Sequence, residues 1–268
     1  MRLLTYLTAL IVAIYAATPI YFIVVMAVMA EREFTQTPTP LFPSHIDLAA
    51  VNWVVFHPNT ASLGLVNSLI IAVPVTLVTM LVAIPAGYAL GRFKLRWKHA
   101  FLGMLLLGRT VPPIVIIIPY YIFFLSLRLR GTYQGLILTH LLLTLPLAVW
   151  VLMGFFATLP RDLEKAARMD GCGRLQAFRR VILPMARPGI VAATILVFLT
   201  SWNEFLFGWL LATGTPVQPF LPAISTWGGR GLMAATLVGN ILPAIAVGAV
   251  LQRYIQRLGI VDPTSVMV

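Results

Sequence analysis

The stretch LEKAARMDGCGRLQAFRRVILPMARPG, from Leu163 to Gly189, sits between sequences that are nearly all apolar, yet it is dense in charge and punctuated by Gly and Pro. Pro160 precedes it and suits the first turn of a helix. RDLEKAARMD, residues 161–170, is rich in helix formers, which predicts a short helix. Leu163, Ala166, Ala167 and Asp170 fall at i, i+3, i+4 and i+7 and so share one face. Gly171 and Gly173 allow a sharp turn. A second helical stretch, RLQAFRRVIL, ends at Pro184. Its periodicity groups Leu175, Phe178 and Ile182, with Arg174, Arg179 and Arg180 exposed. The small residues of the first helix would fit a close socket on a partner protein. An amphipathic pair lying on anionic headgroups is the other reading.

Outward from this insert, composition sets the surroundings. The 268 residues are 60% hydrophobic and 10% charged, against roughly a quarter charged in an average soluble domain. Charge-free runs reach the ~20 residues that a spanning helix needs. The expectation is an all-α, polytopic membrane protein in a single domain, 1–268, with the insert at about 158–187. Six spans are predicted, near Leu3–Ala30, Leu65–Leu90, Ala100–Leu125, Tyr133–Ala157, Ile190–Ala212 and Leu232–Tyr254. The first is read as a retained span, because it is about twice the length of a signal-peptide core and lacks a small-x-small cleavage site.

The net charge of +11 is read mainly as a topology signal, with a weaker contribution from attraction to anionic lipid, and not as a nucleic-acid footprint. Arg2, the loop GRFKLRWKHA, the insert and the tail residues Arg253 and Arg257 fall on one face. The other face has Arg32, Arg128, Arg130 and Arg230, offset by Glu31, Glu33 and Asp47. Cytoplasmic loops carry the Lys/Arg excess, so both termini are expected in the cytoplasm. Between the first two spans, a segment with four prolines before Asn59 favours extended chain and turns. Within it, DLAAVNWVVF suits a short interfacial helix. It is either a plain connection or a contact for a soluble partner.

Prolines fall within the expected spans at Pro74, Pro85, Pro112, Pro113, Pro119, Pro146 and Pro243. Such residues suit helices that line a path and change shape. Gly87 and Gly91 make a GxxxG, which permits close helix approach. Arg109 and Glu204 are charges at bilayer depth, where each costs at least ~2.5–3.5 kcal/mol, so each is expected to face protein or a wet cavity. Trp202 and Asn203 adjoin Glu204. Aromatic faces suit sugar C–H groups, and an amide both donates and accepts. These four residues are candidates for a substrate path. An Arg109–Glu204 structural ion pair, or snorkelling to an interface, is the alternative.

Catalytic signals are missing. There is no G-x-x-x-x-G-K-[ST], and His45, His57, His99 and His140 are scattered without metal-ligand spacing. No metal or cofactor is expected, and the chain is not expected to be an enzyme. The lone Cys172 can form no intrachain disulfide.

The insert resembles the EAA loop of inner-membrane subunits of binding-protein-dependent ABC transporters. That pattern is E-A-A, three residues, Gly, nine residues, then I-x-L-P. Here Ala166 and Ala167 precede Arg168-Met169-Asp170 and Gly171, and Val181-Ile182-Leu183-Pro184 follows at the family distance. Lys165 stands at the Glu position, with Glu164 one residue earlier. NSLIIAVPVTLVTMLVAIPAGYALGRF, RTVPPIVIIIPYYIFF and SWNEFLFGWLLA resemble spans of the maltose-type subfamily, particularly sugar and polyol importers. The tail RLGIVDPTSVMV departs from the family pattern.

The resemblance implies a type I importer fold in the cytoplasmic membrane. It also implies Glu164, Lys165, Ala166, Ala167, Asp170, Gly171, Leu183 and Pro184 as contacts to a separate ATPase. The implied partners are a dimer of ATP-binding subunits, a second and different permease subunit, and an extracytoplasmic solute-binding protein. A self-sufficient secondary carrier or channel is the alternative, and a non-transporting scaffold is a third reading.

Overall fold

The computed structural model describes residues 2–57, 61–223 and 229–257. These form helices α1 (Arg2–Ala27), α2 (Ala49–Phe56), α3 (Ala61–Arg92), α4 (Lys98–Thr110), α5 (Pro113–Ser126), α6 (Tyr133–Thr158) and α7 (Asp162–Met169). They continue with α8 (Arg174–Ala177), a π-helical turn (Phe178–Ile182), α9 (Leu183–Met185), α10 (Arg187–Trp202), α11 (Leu206–Ala212), α12 (Phe220–Ala223) and α13 (Arg230–Arg257). The tail beyond residue 257 lies outside the described residues.

Among the described residues, four segments are long and apolar enough to cross a membrane without a break: Leu4–Ala27, Leu63–Arg92, Tyr133–Thr158 and Arg230–Val250. The expected third and fifth spans are instead each two helices. The third divides into α4 and α5, and the fifth into α10 and α11. At 1.5 Å per residue, the 13 residues of α4 extend only ~20 Å, short of the ~30 Å hydrocarbon core. Pro112 and Pro113 explain the first division. Pro74, Pro85, Pro119, Pro146 and Pro243 are carried within continuous helices.

The frame is α3 packed along α6, and the GxxxG pair makes the approach possible. A Cβ on Gly87 would lie 2.8 Å from the Leu152 Cβ, and one on Gly91 would lie 2.9 Å from the Met153 carbonyl oxygen. Helix α10 crosses the same pair, with Gly189 seated directly against the Phe155 ring. The shared core joins Met80, Ala83 and Tyr88 of α3 to Leu152 and Phe156 of α6 and to Ala193 and Val197 of α10. Its polar centre is Thr79 Oγ1 at 2.8 Å from Thr144 Oγ1, which itself donates to the His140 carbonyl. Every polar group at this depth needs a protein partner, because lipid offers none.

The segment between α1 and α3 is folded. It contains a 3-10 turn (Glu31–Thr35) and the expected short helix, α2. Glu31 accepts from the Arg230 and Gly231 amides at the N-terminus of α13, and Arg230 donates to the Phe34 carbonyl. Glu33 is buried and accepts from the Ser44 amide and hydroxyl, which hold its carboxyl below the usual carboxylate range. At this same end, Asn67 of α3 donates to the Pro216 and Gln218 carbonyls and accepts from Tyr133. The chain after α11 is thereby tied to the start of α3 and α6. The insert lies at the opposite end of these helices, beside Arg92 and Thr158.

Candidate functional site

The insert begins with α7, whose end explains Gly171. The Gly171 amide donates to the Arg168 carbonyl at 3.2 Å, and the Cys172 amide donates to the Ala167 carbonyl at 3.0 Å. This is a Schellman closure, in which the residue after the cap adopts a left-handed conformation. Gly171 has φ +86°. A Cβ there would touch nothing, so the demand for glycine is conformational and not a matter of space. The Gln176 side chain then reaches back to accept from the Gly173 amide, starting the second helix.

That second helix departs from the expected periodicity. A π turn occupies Phe178–Ile182, where the Leu183 amide bonds to the Phe178 carbonyl five residues back. Pro184 has no amide hydrogen and its ring would crowd the Arg180 carbonyl; a widened turn relieves both. The extra residue shifts the phase of the helix. Ala177, Phe178 and Ile182 therefore face the spans, and Leu175 is exposed instead of grouped with them. Phe178 packs against the Tyr88 ring at 4.6 Å. Leu183 and Pro184 are half-buried. At Ala186 the chain bends by 73° into α10.

The charged pair at the start of the family-like motif separates into two roles. Glu164 turns toward the spans. It accepts from the Tyr88 hydroxyl at 3.1 Å and lies 3.7 Å from Arg92 Nε. The buried Arg92 guanidinium also donates to the Leu159 and Pro160 carbonyls at 2.7 and 3.1 Å, satisfying the otherwise open end of α6. Lys165 points outward, 73% exposed, and pairs with Asp162 at 2.8 Å; this contact holds the Asp162 carboxyl below its usual range. Ala167 is buried against the second helix. Ala166, Arg168, Asp170 and Met169, the last 83% exposed, present an open face with Lys165.

The second candidate region is the break at Asn203–Phe205. Glu204 Oε1 accepts from the Phe207 amide and Oε2 from the Gly208 amide, both at 3.0 Å. The carboxylate thus satisfies two donors that the start of α11 leaves open, and its charge complements the helix dipole there. His140 Nε2 of α6 lies 3.5 Å from Glu204 Oε2, while His140 Nδ1 is 2.8 Å from the Ser201 hydroxyl. Glu204 is therefore partnered by His140. The side chain of Arg109 lies outside the described residues, although its backbone belongs to α4.

Trp202 does not offer an open aromatic face within this chain. Its ring is buried, stacks on Phe198, and donates Nε1–H to the Asn240 carbonyl at 3.1 Å. Asn203 is exposed; its oxygen accepts from Asn240 Nδ2 at 3.0 Å. The structure therefore brings Trp202, Asn203 and Glu204 together with His140, Ser201 and Asn240, three residues that sequence reasoning did not single out. His140 carried a usable signal, since it is an ionisable group two turns inside a 26-residue apolar helix. Arg92 and Tyr88 gave none, because a cation and a tyrosine at the end of a span are ordinary anchors.

Residues 83–259 match the family described as binding-protein-dependent transport system inner membrane component. The chain is 31% identical over 255 residues to the sulfoquinovosyl glycerol transport system permease protein SmoH of Agrobacterium fabrum, covering 93% of this chain and 89% of that one. It is 36% identical over 209 residues to the trehalose transport system permease protein SugB of Mycobacterium tuberculosis, covering 75% and 76%. The trehalose/maltose transport system permease protein MalG of Thermococcus litoralis is 29% identical over 265 residues, covering 95% and 93%. Among solved structures, a chain of a bacterial ABC transporter involved in the import of the acidic polysaccharide alginate superposes with TM-score 0.71. That match is 22% identical and covers 94% of this chain and 96% of that one; it establishes the shared fold.

Proposed function

Because the chain belongs to the inner membrane components of binding-protein-dependent transport systems, we propose that it is one permease subunit of an ATP-driven ABC importer. It carries a sugar, oligosaccharide or polyol across the cytoplasmic membrane by alternating access. The whole chain acts as one permease domain with six crossings, two of them broken, and both termini are cytoplasmic. Its partners are a second, different permease, a dimer of ATP-binding subunits that hydrolyse ATP, and an extracytoplasmic solute-binding protein. The sugar class is supported by the substrates named for SmoH, SugB and MalG.

The observation that carries this reading is the fastening of α7. Its outer face, with Lys165, Ala166, Arg168, Met169 and Asp170, is free to dock, and its inner face is bound through Glu164 to Arg92 and Tyr88 of α3. Arg92 also holds the end of α6. A push on α7 is thereby transmitted to both helices of the frame. In this scheme Gly171 sets the exit angle of α7, Ala167 allows its close seat, and Leu183 and Pro184 lead into the bend before α10. Asn203, beside the break, offers its amide to substrate hydroxyls. Trp202 positions it from behind, Glu204 holds the break open, and Arg109 lies along the same path. Glu204 spends its oxygens on helix amides and His140, which favours a structural use over a proton relay and hence external energy from ATP.

The test is uptake by the reconstituted complex with its ATPase and binding protein. Gly171→Val, strained at φ +86°, should abolish uptake and coupled ATP hydrolysis while the subunit remains inserted and assembled. Arg92→Ala should retain ATP hydrolysis but lower the substrate moved per ATP. Normal uptake by Gly171→Val, or wild-type uptake abolished by an uncoupler in the presence of ATP, would overturn the reading.

A further inference from the structure

We propose that the angle between α3, α4 and the insert is a binding site for one anionic phospholipid of the leaflet on the insert's side. The inference rests on the proposed cytoplasmic placement of the insert. Two cavities along α3 and α4 carry it. The first is a cleft of ≈ 450 Å3 lined by Gly91, Phe93, Lys94, Arg96, Lys98 and Arg161. No carboxylate among the described residues lies within ion-pair distance of any of these four cations. The second is a groove of ≈ 300 Å3 whose walls are almost wholly apolar, formed by Val82 and Ala86 of α3, Phe101 and Leu105 of α4, and Leu142 and Pro146 of α6.

The two cavities have no lining residue in common, but they follow one another along the same two helices. Ala86 and Gly91 are five residues apart on α3, a rise of ~7.5 Å, and Lys98 and Phe101 are one turn apart on α4. A ligand that fills both must be anionic at one end and aliphatic along the next helical turns. The loop 93–97 fixes the depth: Trp97 is 75% exposed, with Phe93 and Leu95 also open, as suits side chains that sit at the headgroup boundary. Basic pockets between spanning helices favour anionic headgroups. Four cations would repel the amine of a zwitterionic lipid and attract a phosphate diester. The acyl chain then lies between α4 and the α3–α6 frame, where the short helix α4 leaves the groove unfilled.

The experiment uses the assembled importer in phosphatidylcholine nanodiscs with and without phosphatidylglycerol, and reads retained lipid by native mass spectrometry after detergent extraction. Wild type should keep one phosphatidylglycerol. Lys94→Ala with Arg96→Ala should weaken retention at least tenfold. Arg179→Ala with Arg180→Ala, an equal change of charge outside the cleft, should leave retention unchanged. Leu142→Trp, which fills the groove at an exposed position, should also expel the lipid. Excess inorganic phosphate should not displace it. Equal losses in the two double variants, displacement by phosphate, no retained phosphatidylglycerol in wild type, or cross-linking of a cysteine at position 142 to the second permease would each overturn the site. ATP-driven uptake is measured on the same samples. A complex that keeps the lipid without ATP-driven uptake counts against the importer reading alone, and one that transports without retaining it counts against the lipid site alone.

Discussion

Two of the segments expected to span the membrane are each broken into two helices, and they are broken for different reasons. Between α4 and α5 the cause is covalent. Pro112 and Pro113 remove two amide donors, and the residue before a proline is driven out of the helical region, as Val111 is with ψ 119°. Between α10 and α11 the sequence WNEFLF contains no proline or glycine. That break is made by contacts: Glu204 on the Phe207 and Gly208 amides, His140 beside Glu204, and Asn240 on Asn203 and Trp202. The first break would persist in an isolated peptide. The second needs α6 and α13 in place, so it can respond when those helices move.

The contrast predicts a ranking of effects. Glu204→Ala should be the most damaging, because it strands two amides and His140 away from water. Each buried donor left without its acceptor costs about 1–3 kcal/mol, and the Phe207 and Gly208 amides both lose theirs. Fluorescence-detected size exclusion should show little assembled complex, Glu204→Gln should fall between, and wild-type assembly of the alanine variant would refute the contact-made break. His140→Leu leaves the helix cap but removes the link to α6 and strands the Ser201 hydroxyl, at about 1–3 kcal/mol. The melting temperature of the purified complex should drop, and Ser201→Ala should add little to it.

Healing the other break is the sharper test. Pro112→Ala with Pro113→Ala removes the covalent cause and few contacts, so stability should change by about 1 kcal/mol or less. Spin labels at positions 104 and 118 should then report the spacing of one continuous helix. An unchanged distance would mean that packing, not proline, holds this break too. The smallest effect is expected from Glu31→Ala. Glu31 caps α13 as Glu204 caps α11, but it is exposed to water. A solvated helix-end charge contributes about 0.3–1 kcal/mol. A thermal shift as large as that of Glu204→Ala would remove membrane depth as the explanation.

Much of this was legible in the residues. The apolar runs give the helices, the Gly87–Gly91 spacing gives the α3–α6 approach, and Ala-Ala-x3-Gly gives a helix that must end in a left-handed turn. Other features were not. Leu175 was grouped with Phe178 and Ile182 by an α-helical period that the π turn interrupts. Trp202 reads as an aromatic platform until Phe198 and Asn240 cover it. Glu204 had Arg109 as its only charged candidate within an apolar span, and the neutral-looking His140 is its neighbour in space.

The sequence by itself determined which segments are helical and apolar, where proline forbids a helix, and where Gly171 must close one, since each depends on backbone chemistry within a few residues. Only the tertiary structure decided that Glu164 turns inward to Arg92 while Lys165 faces out, and that Glu204 opens a helix without a proline. Those outcomes depend on which polar groups are brought within reach of one another where water is excluded, and no local pattern encodes that reach.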